Sequence, residues 1–399
     1  LLGGILNSLE KFAAAAAAPI VLNIVLIGAL VILRDRFGAA HALAWGIAAA
    51  GIAQFLMLAI AADRAGMGLT LPRPRLTPRV ARTLRLMVPG AIGAGVVQIN
   101  LVIDVMLAST LPAGAISYLY FADRVSQLPL GVVGVAVGIA LLPLMSRQLK
   151  SGDDAGARDS QNRAIEFALL LTLPAATALI VVPDPIVRVL FARGAFGEAD
   201  ALATAGALVA FALGLPAYVL IKALAPGFFA REDTATPVKI AMVALVVNVV
   251  AAVTLMQFLA HVGIALATAM SAWVNAVSLA LLLRRRGQLG IDARLRRRGV
   301  GMVLASIGMA GVLWAAAAAL APWLVGSGPI SFAALALLVV AGLAAYGALA
   351  LAFGAVRRSD FRLFLRQLVL PIAHPAFASR HPAFASRLVV LQIVKHAAA

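Results

Sequence analysis

Ten stretches of this 399-residue chain run for about twenty residues with hardly a charge in them. They cover 14–33, 38–62, 87–110, 122–146, 164–183, 201–221, 238–259, 262–283, 300–320 and 330–354. At 1.5 Å per residue such a run crosses a hydrocarbon core about 30 Å thick, where every backbone polar group must be satisfied within the segment. A barrel would instead show strands of about ten residues with alternating polarity. The runs here are continuous and rich in Ala and Leu, so the expected fold is an all-α polytopic membrane protein with about ten transmembrane helices. Composition agrees: hydrophobic residues are 63% and charged residues 12% of the chain, far from the proportions of a soluble domain.

Ten spans with short connections force alternate loops onto opposite sides. The net charge is +17. Of 33 Lys and Arg residues, 28 fall in one set of loops: the start, 63–86, 147–163, 222–239, 284–298 and the tail. The other set holds Arg34, Arg36, Arg124, Arg188 and Arg193. Basic residues flank spans on the cytoplasmic side, which places "RRRGQLGIDARLRRR" (284–298) and both chain ends in the cytoplasm. Charges scattered over separate segments of the chain also argue against a nucleic-acid partner. There are no cysteines, which excludes disulfide and thiolate chemistry. None of the five His residues forms a zinc-binding His pair, and neither a Gly-x-Ser-x-Gly elbow nor a phosphate-loop pattern occurs. Soluble-type catalysis therefore has little support.

Two hairpins resemble each other. "APIVLNIVLIGALVIL" and "ALAWGIAAAGIAQ" are followed much later by "TPVKIAMVALVVNVV" and "IALATAMSAWVNA". Each opens on a Pro (Pro19, Pro237), carries one Asn in its first helix (Asn23, Asn248) and has a His in its connection (His41, His261). A parallel repeat about the membrane normal gives this order, and so does chance between Ala-rich hairpins. As a repeat, it makes 1–62 the last hairpin of an N-terminal lobe with four helices lying before residue 14. Then follow a basic linker (63–86), a six-helix C-terminal lobe (87–283), a basic loop (284–298), two additional helices (299–354) and a tail (355–399). "RRSDFRLFLRQLVL" (357–370) reads as a stop-transfer flank or a surface amphipathic segment. The tandem "HPAFASRHPAFASR" (374–387) lacks a coiled-coil seam and reads as a duplication scar.

Polar residues inside the spans are few. Asp104 is the acid well inside a span, and Asn100 precedes it by four residues on the same face. Ionisable groups in hydrocarbon are costly and usually face a bundle interior or a cavity, so Asp104 reads as functional. Thr268, Ser271 and Asn275 share a face of their helix, and Asn248 is the amide of the preceding one. Together these oxygens suit either a small cation or ordinary interhelical hydrogen bonding. Arg124, in "SYLYFADRVSQLPLG" (117–131), stands on the side almost empty of basic residues. It reads as an interfacial Arg neutralised by Asp123, or as an anion site with the bidentate fork that suits phosphate. Arg188 and Arg193 read as solvated loop charges.

"GAGVVQINLVIDVMLASTLPAGAISYLYFADRVSQLPLGVVGVAVGIALLPLMSR" (93–147) and "VLIKALAPGFFAREDTATPVKIA" (219–241) strongly resemble the bacterial lipid II flippases, the MurJ or MviN family. The resemblance continues more loosely from residue 1 to about 355. It implies the multidrug/oligosaccharidyl-lipid/polysaccharide exporter superfamily: two six-helix lobes rocking about a central cavity, with two last helices forming a groove for a lipid tail. The ten runs become the fifth to fourteenth of fourteen helices, so the chain is expected to be an N-terminally truncated member. The implied cargo is lipid II, the undecaprenyl-pyrophosphate-linked disaccharide-pentapeptide of peptidoglycan, moved outward by alternating access, with membrane lipids as surroundings. An Arg matching Arg124 lines the family's cationic cavity and receives the pyrophosphate, with Asp123 beside it. Some members bind sodium between helices matching those of Asp104, Asn248 and Thr268. Here Ala252 stands where a second carboxylate is expected, and no other cofactor is implied. Competing expectations are a drug/cation antiporter coupled through Asp104, and a truncated protein that transports nothing.

Overall fold

The computed structural model describes residues 2–3, 6, 12–67, 95, 98–326 and 328–356. Every regular element among them is helical. They fall into two compact units, Leu1–Arg82 and Thr83–Ala399, taken separately below.

The first unit is one helical hairpin, α1 (Phe12–Arg64), which folds back at Gly38 (φ 76°, ψ 157°). That conformation suits a residue without Cβ. The break falls just after the "RDRF" connection expected at 34–37. Pro19 is not at a helix start, as its sequence context suggests, because the helix begins seven residues earlier at Phe12. The two arms meet where Gly46 faces Leu26 and Ala29, with a would-be Cβ only 2.9 Å from the Ala29 Cβ. Gln54 Nε2 donates to the Ala18 carbonyl across the pair at 2.7 Å. Ile24, Ile27, Val31, Trp45 and Ile52 are all exposed, as lipid-facing side chains would be.

In the second unit, α2 (Gln98–Ser109) is the described part of the run at 87–110. Then come α3 (Ala115–Lys150), α4 (Asp154–Val181), a short α5 (Pro183–Phe191), α6 (Glu198–Phe229), α7 (Ala235–Arg285), α8 (Ala293–Leu320) and α9 (Pro329–Ala352). With α1 and α7 counted twice for their folds, these helices account for all ten expected runs. Six of the helical stretches are long and apolar enough to cross a membrane. The helices overrun the apolar runs. The added turns include polar ends such as 154–163 on α4, whose polar residues interrupt the hydropathy signal but not the helix.

Within a bilayer, lipid tails are as apolar as Leu, so helices associate through close packing of small residues and interhelical hydrogen bonds. The α6–α7 contact shows this: a Cβ on Gly214 would lie 2.8 Å from the Ala269 backbone. Folding α7 back on itself needs the strained Ala260 (φ 47°, ψ −129°), and Gly263 then passes against the Leu255 backbone. One core cluster joins α3, α4, α6 and α7 around Met145, Ile165, Phe228 and Leu283. A second, at the opposite ends of those helices, contains Val125, Leu179, Leu208 and Leu215. A third attaches α8 and α9 to α4 and α5 through Met302, Met309, Leu313 and Leu338. Tyr346 of α9 donates its hydroxyl to the Leu170 carbonyl of α4 at 2.9 Å.

The basic loop 284–298 is a folded strap. Along one face of α4, Arg158 donates to the Gly287 carbonyl (3.2 Å) and Asn162 to the Gly290 carbonyl (2.6 Å). Glu166, one turn on, is buried and accepts from Arg163, Arg294 and Arg298. Asp292 pairs with Arg163 and caps α8 by accepting from the Leu295 N–H at 2.7 Å. Arg188, expected to be a solvated loop charge, instead pairs with Asp184 on α5 and with Glu198 at the start of α6. The segment 357–370 and the duplication at 374–387 lie outside the described residues.

Candidate functional site

Asp104, Asn248 and Thr268 come together. Asn248 is fully buried on α7, and its Nδ2 donates to Asp104 Oδ1 (2.9 Å) and to Asn100 Oδ1 (2.6 Å). Thr268, beyond the fold of α7, lies with Oγ1 3.3 Å from Asp104 Oδ2 and also donates to the Ile264 carbonyl at 3.0 Å. Asn100 Nδ2 reaches Asp104 Oδ2 at 3.3 Å, as their four-residue spacing on α2 requires. The carboxylate is thus ringed by donors from α2 and both arms of α7. Ser271 turns away to the Thr268 carbonyl, 3.0 Å. Ala252 is buried in the first arm of α7.

Does this cluster fit a sodium ion? Asn248 Oδ1 is buried without a hydrogen-bond partner, while its NH2 faces the two oxygens. Amide orientation is decided by the surrounding network. As arranged, the amide donates to both of those oxygens. With the amide turned over, Asp104, Asn100, Asn248 and Thr268 present one negative charge and neutral oxygens, a set suited to a monovalent ion. Among the described residues no group of three or more His, Cys, Asp and Glu could hold a metal.

The second set of residues lies on α3, which starts from Gly114 in the left-handed region (φ 103°). Ala122, Val125 and Ser126 are buried against the rest of the unit. Tyr120, Arg124, Gln127 and Leu128 therefore form an exposed stripe on the opposite face. Arg124 lies over the Tyr120 ring, 4.9 Å from guanidinium carbon to ring centroid, and donates to Gln127 Oε1 at 3.2 Å. Asp123 is half-buried and accepts from Gln127 Nε2. Asp123 and Arg124 form no salt bridge among the described residues, though their charges interact. One glutamine separates them and holds both, and Arg124 forms no ion pair among the described residues. A guanidinium stacked on one face, with a neutral partner, keeps most of its five donors for something else.

Sequence reasoning missed the strap network and Gln161. Gln161 is fully buried on α4, and its Nε2 donates to the Ala223 and Leu224 carbonyls beside Pro226 of α6 (3.2 and 3.3 Å). Polar residues among the apolar positions of α4 were the available signal, but their partners lie 62 to 132 residues away.

The family model described as "Lipid II flippase MurJ" matches residues 1–334. The "Probable lipid II flippase MurJ" of Rhizobium meliloti is 45% identical over 368 residues, which are 91% of this chain and 69% of that protein. Its counterpart in Rhizobium tropici is 49% identical over 317 residues, 78% of this chain and 59% of that one. The chain therefore spans between about three-fifths and seven-tenths of these relatives. A solved structure titled "Lipid II flippase MurJ, inward closed conformation" superposes with a TM-score of 0.70 at 24% identity, over 88% of this chain and 70% of that one, a likeness of fold. A family match over most of the chain, this identity and the shared fold agree: the chain is a multi-pass membrane protein belonging to the MurJ family of lipid II flippases.

Proposed function

We propose that this chain carries the C-terminal lobe and closing helices of a flippase that moves lipid II from the inner to the outer leaflet of the bacterial cytoplasmic membrane. Family membership supports the cargo. The observation that carries the residue-level reading is Arg124: a guanidinium on the exposed stripe of α3, oriented by Tyr120 and Gln127 and in no salt bridge among the described residues. A pyrophosphate offers such a group bidentate oxygen edges. Asp123 acts through Gln127, setting the amide that fixes the guanidinium. Arg124 holds the headgroup while the lobes alternate between inward-open and outward-open states, and the basic strap stays cytoplasmic. The test is rescue of cells depleted of their own flippase by the complete gene product carrying Arg124→Ala. Loss of rescue at normal protein level is expected, and normal rescue contradicts the role.

Sodium coupling is a second reading, favoured by the orphaned Asn248 Oδ1 beside Asp104. It predicts that sodium, and not potassium, raises the melting temperature of the purified protein, and that Asp104→Asn removes the effect. The drug/cation antiporter reading is set aside, because the family matched is that of the lipid II flippases. A protein that transports nothing would fail the rescue even with Arg124 intact.

A further inference from the structure

Far from Arg124, where α3 ends and α4 begins, the structure has a cavity of about 420 Å³. Asp154, Arg158, Arg231, Arg286, Gly287 and Gln288 line it. From Arg124 to Lys150 along α3 is about 39 Å of helix rise, so the cavity is at the opposite membrane surface. Three guanidiniums converge there from three elements: the first turns of α4, the end of α6 and the end of α7. The lining carries three positive charges against the single carboxylate of Asp154.

The charges are only partly spent within the protein. Arg286 is committed, with NH1 2.7 Å from Asp233 Oδ2 and the guanidinium carbon 5.4 Å from the centroid of the Phe228 ring. Arg231 donates to the Gly227 carbonyl at 2.9 Å and reaches the exposed Asp154 at a long 3.4 Å. Arg158 makes no ion pair among the described residues; one nitrogen donates to the Gly287 carbonyl and the side chain is exposed. Even with Asp233 counted, the pocket keeps a net positive charge.

We propose that this cavity binds a phosphate group, with Arg158 as its principal ligand and Arg231 beside it. A tetrahedral phosphate offers acceptor edges in several directions, which suits guanidiniums converging from separate helices, whereas a carboxylate offers two oxygens in one plane. The volume exceeds that of the bare ion. The phosphate can therefore belong to an anionic lipid headgroup at the cytoplasmic surface or to a free phosphate in solution.

Binding of inorganic phosphate to the purified chain, followed by ³¹P line broadening, tests the free source. Thermal stability in nanodiscs of phosphatidylcholine with and without phosphatidylglycerol tests the lipid source. Arg158→Ala is expected to weaken whichever response the wild type shows by about tenfold, the worth of one charge-assisted contact. Arg193→Ala should leave it unchanged. Arg158→Gln, which keeps a donor for the Gly287 carbonyl, separates loss of the ligand from loss of fold: it should melt like wild type in pure phosphatidylcholine and still lose the response. A response to phosphatidylglycerol alone assigns a headgroup, and a response to phosphate alone assigns a soluble anion. No response from the wild type, or a response from either Arg158 variant equal to that of the wild type, overturns the proposal.

Discussion

Asn248 Nδ2 stands 2.9 Å from Asp104 Oδ1, and that single amide joins the carboxylate of α2 to the first arm of α7. The same nitrogen also donates to the Asn100 oxygen, so one side chain satisfies two acceptors within the second unit.

Replacing Asn248 by Ala removes the amide and leaves a half-buried carboxylate with weaker donors. The expected cost is about 1–2 kcal/mol of stability, since hydrogen bonds within membranes are modest but an unsatisfied charged acceptor is not. Thermal melting in detergent measures it. A melting temperature equal to that of the wild type would show that water replaces the amide without loss.

Glu166 should matter more. It is the shared acceptor of Arg163, Arg294 and Arg298, and it fastens the 287–298 strap and the start of α8 to α4. Glu166→Gln keeps the shape and removes the charge, which for buried ion pairs costs about 3–5 kcal/mol. Limited proteolysis should then cut within 284–298 faster than in the wild type. Unchanged cleavage would mean that the carbonyl contacts of Arg158 and Asn162 hold the strap alone.

Gly214 admits no side chain without moving α6 from α7, because a Cβ there meets the Ala269 backbone at 2.8 Å. Gly214→Val is expected to destabilise by about 1–3 kcal/mol through overpacking. Gly28, whose would-be Cβ meets nothing, should accept Ala with little effect on the melting temperature.

Asp233, in the turn between α6 and α7, has its carboxyl held down to about 2, first by the Arg286 hydrogen bond and then by those from Thr236. A folded value below the unfolded one stabilises the fold above the unfolded value. That contribution is lost as pH falls through the folded one. The window runs from about pH 4 down to about pH 2. Asp233→Asn should therefore melt below the wild type at neutral pH, and the gap should close across that window. A gap that stays constant would remove the ionisation from the account.

The ten spans were legible because hydrocarbon filters sequence so strongly that helix position follows from apolar run length alone. The shared face of Asn100 and Asp104 was legible from helical periodicity. Their meeting with Asn248 and Thr268, 144 and 164 residues beyond Asp104, was suggested by the rarity of polar groups in these spans and by family resemblance, because no local rule joins residues so distant. The fold of α7 at Ala260 lay between the two expected runs, at the "AH" connection, though nothing announced that an alanine would take a positive φ. How Asp123 and Arg124 are connected was not legible from their adjacency. Adjacent residues on a helix point about 100° apart, so neighbouring opposite charges need not touch, and Gln127, a turn along, bridges them instead. The strap was illegible because its arginines looked like a topology signal, and only the folded chain shows which of them carboxylates consume.

Transport of lipid II to the outer leaflet, in cells relying on the complete gene product with Arg124→Ala or Arg124→Lys, tests the central claim most directly. The account predicts that Ala abolishes the appearance of lipid II outside at normal protein level, and that Lys, a point charge without the fork, restores only part of it. Transport by the Ala variant at the wild-type rate would contradict it.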